Sequence, residues 1–292
     1  MIPGLVLLAA AAVGLIIVAG SAYLYYRLEG KSLFVFAILI CAAVIAGGSL
    51  SYIPLMSTPF ILGGIGGFTF RKGKSLEFYL VAATVILAVL SAGFFYYYLL
   101  FLKVDFFGMQ REVIARSLDA ARVPADIREE WLEAFDQSKY LVPFGITANS
   151  LVLSSVSYIF INNALTRILN AGKVAGLEYF RLSEYCIFAL IAGLAVFLLI
   201  DTADYPLLHI TGLNLMLAAA LFYFVQGLGV IKFLLMRRGV PVYIIPLTFA
   251  GLLFMGFAGI WALMFLSVLI AGLGALDIWA DFRNLTKKDT RS

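Results

Sequence analysis

Charge is the first thing this chain is short of. Only 13% of its 292 residues are Asp, Glu, Lys or Arg, against about a quarter in soluble domains. Histidine and cysteine are scarcer still. With one histidine, His209, and two cysteines, Cys41 and Cys186, the chain has neither a Cys/His cluster nor a Cys-x-x-Cys pair, so metal and thiol chemistry lack ligands. Both cysteines sit in or at the edge of apolar runs and read as small hydrophobes. None of the span-end acids Glu184, Asp277 and Asp281 pairs with another acid or with His209 at catalytic spacing, which leaves nucleophilic, acid–base and intramembrane protease chemistry without residues. We therefore expect no catalytic residue, no metal, no cofactor and no enzyme activity. The run Gly67–Ser75 ends in Gly-Lys-Ser, but five residues separate Gly67 from Gly73 where a phosphate loop has four, and no strand precedes it. Lys72 and Lys74 read instead as topology charges. The formal charge of +4 and pI near 9.0 do not imply nucleic acid, because no basic stripe interleaves with aromatics.

What the chain has in abundance is apolar surface: 63% hydrophobic residues and a mean hydropathy of +1.01. A soluble fold cannot bury that much, whereas lipid replaces the polar coat. The expected fold is all-α, a polytopic transmembrane bundle of about 8–9 spans. Candidate spans are Leu5–Tyr26, Leu33–Ile53, Leu76–Leu102, Tyr140–Leu165, Leu182–Ile200 and Leu207–Met236. The first lacks a basic leader region and runs too long for a signal, so we expect it to be retained. A shorter segment, Leu55–Phe70, is broken by Pro59 and Gly63–Gly67; it is either a short span or a re-entrant hairpin. Close helix packing and an unwound, ligand-facing backbone are the two uses of such glycines. Val242–Trp279 is nearly two spans long and is expected to turn near Gly256–Gly259. Basic residues gather at Arg27, Lys31, Arg71, Lys72, Lys74, Arg167, Lys173, Arg181, Arg237, Arg238 and the tail. By the positive-inside rule this gives an N-out, C-in chain of nine crossings, or eight if Val242–Trp279 is one tilted helix.

Residues 103–139 break the apolar pattern, with six Lys and Arg among more numerous acids. Val113, Ile114, Leu118 and Ala121 form one apolar stripe, and Ile127, Trp131 and Phe135 a second, with Val123-Pro124 between them. This predicts an amphipathic extracytoplasmic insertion of two helices, packed on the protein's own spans or on a partner. The chain thus divides into N-terminal spans (1–102), the insertion (103–139), a C-terminal bundle (140–285) and a basic cytoplasmic tail (286–292).

Polar residues at membrane depth are the candidate site, since each costs free energy unless partnered. Asn149, Ser150, Ser154 and Ser157 enrich one span, the three serines on one face. Asn214 and Gln226 lie on another and carry more surprise, because an amide cannot satisfy itself as a serine does on its own helix carbonyl. These six are the candidate cavity lining, with the two amides expected to face inward. His209, beside Pro206, reads as an interfacial hydrogen bonder. Asp277, Trp279, Asp281 and Arg283 form a candidate structural or docking cluster at headgroup level, its carboxylates expected to cap or to pair with a basic loop such as Arg237-Arg238.

Two stretches carry a family resemblance. One is Tyr140-Leu141-Val142-Pro143, then Asn162-Asn163, Arg167 and Glu178-Tyr179-Phe180-Arg181-Leu182. The other is Phe222–Leu228 together with Gly272–Arg283, closing on Gly-x-x-Asp-x-Trp-x-Asp-Phe-Arg. Over roughly 140–285 the chain resembles the YybS-like family of bacterial membrane proteins, which has a domain of unknown function. In layout that family is distantly similar to the substrate-binding membrane subunits of energy-coupling-factor transporters, and Ala10-x-x-x-Gly14 fits the small-residue face of their first span. The resemblance implies a multi-pass protein of the bacterial cytoplasmic membrane. Lipid is the expected partner, with a small solute moved together with partner subunits, or alternatively a membrane protein held by a scaffold or assembly factor.

Overall fold

The computed structural model describes residues 2–47, 52–169, 176–201, 204–254 and 256–283. Among these the chain is helical, without strands. Lys173 and the tail 286–292 lie outside the described residues. Among the described residues four stretches are long and apolar enough to cross a bilayer: Leu76–Leu100, the apolar part of Ala125–Ile168, Pro206–Arg237 and Trp261–Ala280. Cys186–Leu199 is a shorter apolar helix, and Val13–Leu28 and Lys31–Ala42 are apolar parts of two further helices. The chain divides into two units, each described by itself.

The first unit comprises residues 1–72 and 79–171. It holds α1 (Ile2–Leu28), α2 (Lys31–Gly47), α3 (Tyr52–Arg71), most of α4 (Leu76–Leu100), α5 (Phe106–Ala120), α6 (Ala125–Ser138) and α7 (Val142–Leu169). α1 packs along α3, and both meet α7. Of the two readings of Leu55–Phe70, a short span or a re-entrant hairpin, the structure has one continuous helix, α3, with Pro59 inside it. Proline removes a single backbone bond there, and the glycines serve close approach. A Cβ on Gly63 would collide with Ser21 and the Val18 carbonyl, one on Gly67 with the Ala22 carbonyl, and one on Gly66 with Ile161 of α7. Gly14, by contrast, has no neighbour within 4 Å of where its Cβ would stand. Gly73 takes a positive φ of 58° in the turn before α4, and the Ser75 hydroxyl accepts from Phe78 N at 3.4 Å. The Gly-Lys-Ser run is thus a helix-to-helix turn with an N-cap.

α5 and α6 are the expected amphipathic pair. Asp105 caps α5 by accepting from Gly108 N at 2.8 Å, and Pro124 precedes α6. Arg111 pairs with Asp136 at 3.2 Å and Arg128 with Asp119 at 2.8 Å, which makes the two helices antiparallel. Leu132 is buried.

The second unit comprises residues 73–78 and 172–292. It contains α8 (Cys186–Leu199), α9 (Pro206–Arg237), α10 (Ile244–Phe254) and α11 (Gly256–Ala280). α9 is its hub, packing against α8, α11 and a 3-10 turn at Leu177–Tyr179. Pro206 opens α9 in its first turn, where no amide hydrogen is needed. Gly193 of α8 and Gly212 of α9 each abut the other helix, and Gly227 and Gly274 do the same for α9 and α11. Within Val242–Trp279 the described residues form α10 and α11; Gly256–Gly259, where a turn is expected, open α11, and Met255 lies outside the described residues. α10 has eleven residues, about 17 Å of helix and only about half the hydrocarbon thickness.

Candidate functional site

The most concentrated polar chemistry lies where α9, α11 and the segment 177–183 meet in the second unit. α9 carries Tyr223, Gln226, Gly227 and Val230 on one buried face, the spacing of a helix stripe. With no side chain at Gly227 or Gly274, α11 comes close enough for its backbone to touch α9: a Cβ on Gly227 would collide with the Ile270 carbonyl, and one on Gly274 with the Tyr223 carbonyl. That approach places the Gln226 amide between two segments. Its Nε2 donates to Gly274 O at 2.9 Å, its Oε1 accepts from Leu182 N at 2.9 Å, and Asp277 Oδ2 lies 3.5 Å from Nε2.

Asp277 and Arg283 complete the arrangement. Their side chains are 1% and 0% exposed. Arg283 Nε donates to Asp277 Oδ2 at 3.1 Å, joined by Nη2 on the same oxygen. Arg283 Nη1 reaches the carbonyls of Glu178 and Phe180 at 2.9 and 2.8 Å, and Phe282 N donates to Asp277 Oδ1 at 3.1 Å. Around this core Arg181 donates to Ile278 O at 3.0 Å and stands 3.7 Å from Asp281, while Arg181 N donates to Glu77 Oε1 at 2.9 Å. Lys232 Nζ lies 2.7 Å from Glu178. Burial pushes the Glu178 carboxyl up, but the hydrogen bond from Lys232, a backbone bond and the Lys232 charge together hold it below its usual range.

A buried pair is costly to desolvate and persists when its remaining donors and acceptors are satisfied. For Asp277 and Arg283 they are, so the pair ties a loop to two helices, while the buried Tyr223 hydroxyl nearby has no hydrogen-bond partner among the described residues. The carboxylates do not pair with Arg237-Arg238, as the sequence suggested: Asp277 takes Arg283, and Asp281 takes Arg181. The physical reason is that the chain turns back after Ala280, which brings Arg283 onto Asp277 and sets Asp281 beside Arg181 of the segment before α8. Trp279, on the same turn of α11, is 67% exposed.

The other candidates are distributed differently. Ser150, Ser154 and Ser157 are buried in the first unit and Ser154 donates to Ser150 O at 2.8 Å, while Asn149 is exposed. Asn214 is buried on α9 and its Nδ2 donates to Ile210 O on its own helix at 2.9 Å. The serines and Gln226 therefore belong to separate units. His209 Nδ1 lies 3.0 Å from Ile200 O. Cys41 and Cys186 are free, and among the described residues no three His, Cys, Asp or Glu side chains are placed to hold a metal.

Sequence reasoning missed Lys232 and Glu178, although a lone lysine inside an otherwise apolar stretch, Leu207–Met236, was a signal for a buried partner. It also missed Tyr79 and Thr84 of α4, both fully buried, whose hydroxyls have no hydrogen-bond partner among the described residues.

Neither a curated protein nor a solved structure matches the chain. A family model described as predicted membrane protein (DUF2232) matches residues 1–278, and with that coverage the chain belongs to this membrane protein family.

Proposed function

We propose that this protein is a multi-pass subunit of the bacterial cytoplasmic membrane that binds a small polar solute or helps move it, together with partner subunits. The observation that carries the reading is the pair of orphan hydroxyls on α4. Most buried serines and threonines in helices bond the carbonyl one turn back, as Ser21, Thr69 and Ser154 do. Among the described residues Thr84 does not, and neither does the Tyr79 hydroxyl find a partner, although its ring lies 5.3 Å from that of Tyr158 on α7. A hydroxyl left unpaired at membrane depth costs free energy that a hydrogen-bonding ligand recovers. The distant likeness in layout to energy-coupling-factor subunits supports the same reading, in which any nucleotide-driven step falls to a partner subunit.

The proposed topology is N-out with eight or nine crossings. Reporter fusions near Gly73, Lys173 and Gly239 are expected in the cytoplasm, and a fusion near Asn284 separates nine crossings (inside) from eight (outside). The functional test is mass spectrometry of the protein released from lipid nanodiscs. A retained small molecule, lost in Thr84→Val and Tyr79→Phe while both variants keep their thermal stability, is the expected result. Variants that are stabilised with nothing ever retained would overturn the solute reading. Recovery of a bound envelope protein instead would favour an assembly role.

A further inference from the structure

We propose that α5 and α6 lie in the interfacial layer of the lipid bilayer, with Met109, Val113, Ile127 and Trp131 inserted between lipid headgroups. These four side chains are left uncovered by the protein, Val113 being 64% and Trp131 60% exposed. They occur as i, i+4 pairs on each helix. Met109 and Val113 also line a shallow open groove with Gln110 and Ile114. Where these helices sit is dictated by their tethers. Lys103 takes a positive φ of 51° and Val104 N donates to Tyr98 O at 3.1 Å, so the chain reverses at the end of α4. Phe106 then stacks on Phe95 at 5.9 Å and meets Tyr98 at 6.2 Å, and Phe107 packs edge-on to Phe95 at 6.1 Å. Phe95 is five residues before the end of α4, about 7.5 Å inside it. α5 therefore starts level with the last turns of a candidate span, among Tyr96, Tyr97 and Tyr98, the residue type that marks the headgroup region. At the other end α6 runs through the 3-10 turn Lys139–Leu141 directly into α7, another candidate span. Both ends of the hairpin are thus held at the bilayer surface, and the uncovered apolar side chains continue the lipid-facing surface of the spans.

The chemistry favours insertion over charge attraction. Residues 103–139 carry six Lys and Arg against eight Asp and Glu, and the acidic excess gives anionic headgroups no net pull. Apolar burial supplies the binding, as for amphipathic helices lying in the interface.

The experiment uses the full chain in nanodiscs of phosphatidylcholine and phosphatidylglycerol. Trp261→Phe and Trp279→Phe leave Trp131 as the one tryptophan of three. We expect lipids brominated near the glycerol to quench Trp131 about twofold more than lipids brominated near the chain ends, as an interfacial depth requires. Raising salt to about 1 M, where screening is nearly complete, should leave the quenching unchanged. A spin label at Val113→Cys, with Cys41→Ala and Cys186→Ala, reads α5 separately and should be relaxed more by oxygen than by a soluble nickel chelate. Quenching of Trp131 by aqueous acrylamide alone, or a label relaxed only by the chelate, would place the face in water and overturn the proposal. Protection from every quencher would place it against protein and overturn it equally.

Discussion

Arg283 closes on Asp277, six residues earlier, because the chain reverses at Asp281. The helix ends at Ala280, Asp281 takes a positive φ of 41°, and Asp281 N donates to the Asp277 carbonyl at 3.1 Å. Aspartate tolerates the left-handed region better than most residues, so the sequence can turn there without glycine. Removing one partner of a buried pair leaves the other uncompensated, and Arg283→Met is expected to cost about 3–5 kcal/mol. The double variant Asp277→Leu/Arg283→Leu should cost less than Arg283→Met alone. Unfolding titrations of the purified protein in mild detergent compare the two.

Gly227 and Gly274 offer a packing test. Either one changed to alanine puts a Cβ against a backbone carbonyl, and overpacking of this kind costs about 1–3 kcal/mol. Gly251→Ala on α10 meets nothing within 4 Å and should be neutral or slightly stabilising. Thermal midpoints of the three variants, measured side by side, check this.

The two amides of α9 should separate cleanly. Gln226→Leu strands the Leu182 amide hydrogen, a loss of about 1–3 kcal/mol. Asn214→Leu removes a bond to Ile210 O and leaves the Leu182 amide hydrogen paired. Hydrogen exchange at the amide of Leu182 is the direct readout: it should quicken in the first variant and stay slow in the second.

The Glu178–Lys232 pair predicts a pH dependence. The Glu178 carboxyl is held below its ordinary value of 4.5, despite burial that opposes this, because Lys232 bonds and faces it. A depressed carboxyl contributes stability that is present above the unfolded value and lost as pH falls through the folded one. Wild type should therefore lose this increment below pH 4.5, whereas Glu178→Gln lacks it throughout. Above that pH the wild type should be the more stable of the two in paired melting curves.

The helical, membrane-embedded character was legible from composition, because nothing but lipid accommodates so apolar a chain. The amphipathic pair was legible from the spacing of Val113, Leu118, Ile127 and Trp131 against their charged neighbours. The closing cluster could be named but not wired. Whether Asp277 meets Arg283 or Arg237 depends on a reversal at Asp281, a non-glycine residue that advertises no turn. α3 was legible only as two alternatives, since its glycines suit close packing or an unwound backbone equally in sequence; the structure takes close packing, with Gly63, Gly66 and Gly67 set against Ser21, Ile161 and Ala22. Lys232 passed unnoticed because its counter-ion, Glu178, lies in a different segment.

The Arg283 clasp also sets an order of assembly. The carbonyls of Glu178 and Phe180 that it serves lie 105 and 103 residues earlier in the chain. At ribosomal speeds of 5–20 residues per second, roughly 5–20 s pass between their emergence and that of their donor. During that interval the segment before α8 must rely on water or on an insertion chaperone, and the second unit locks only when its closing arginine arrives.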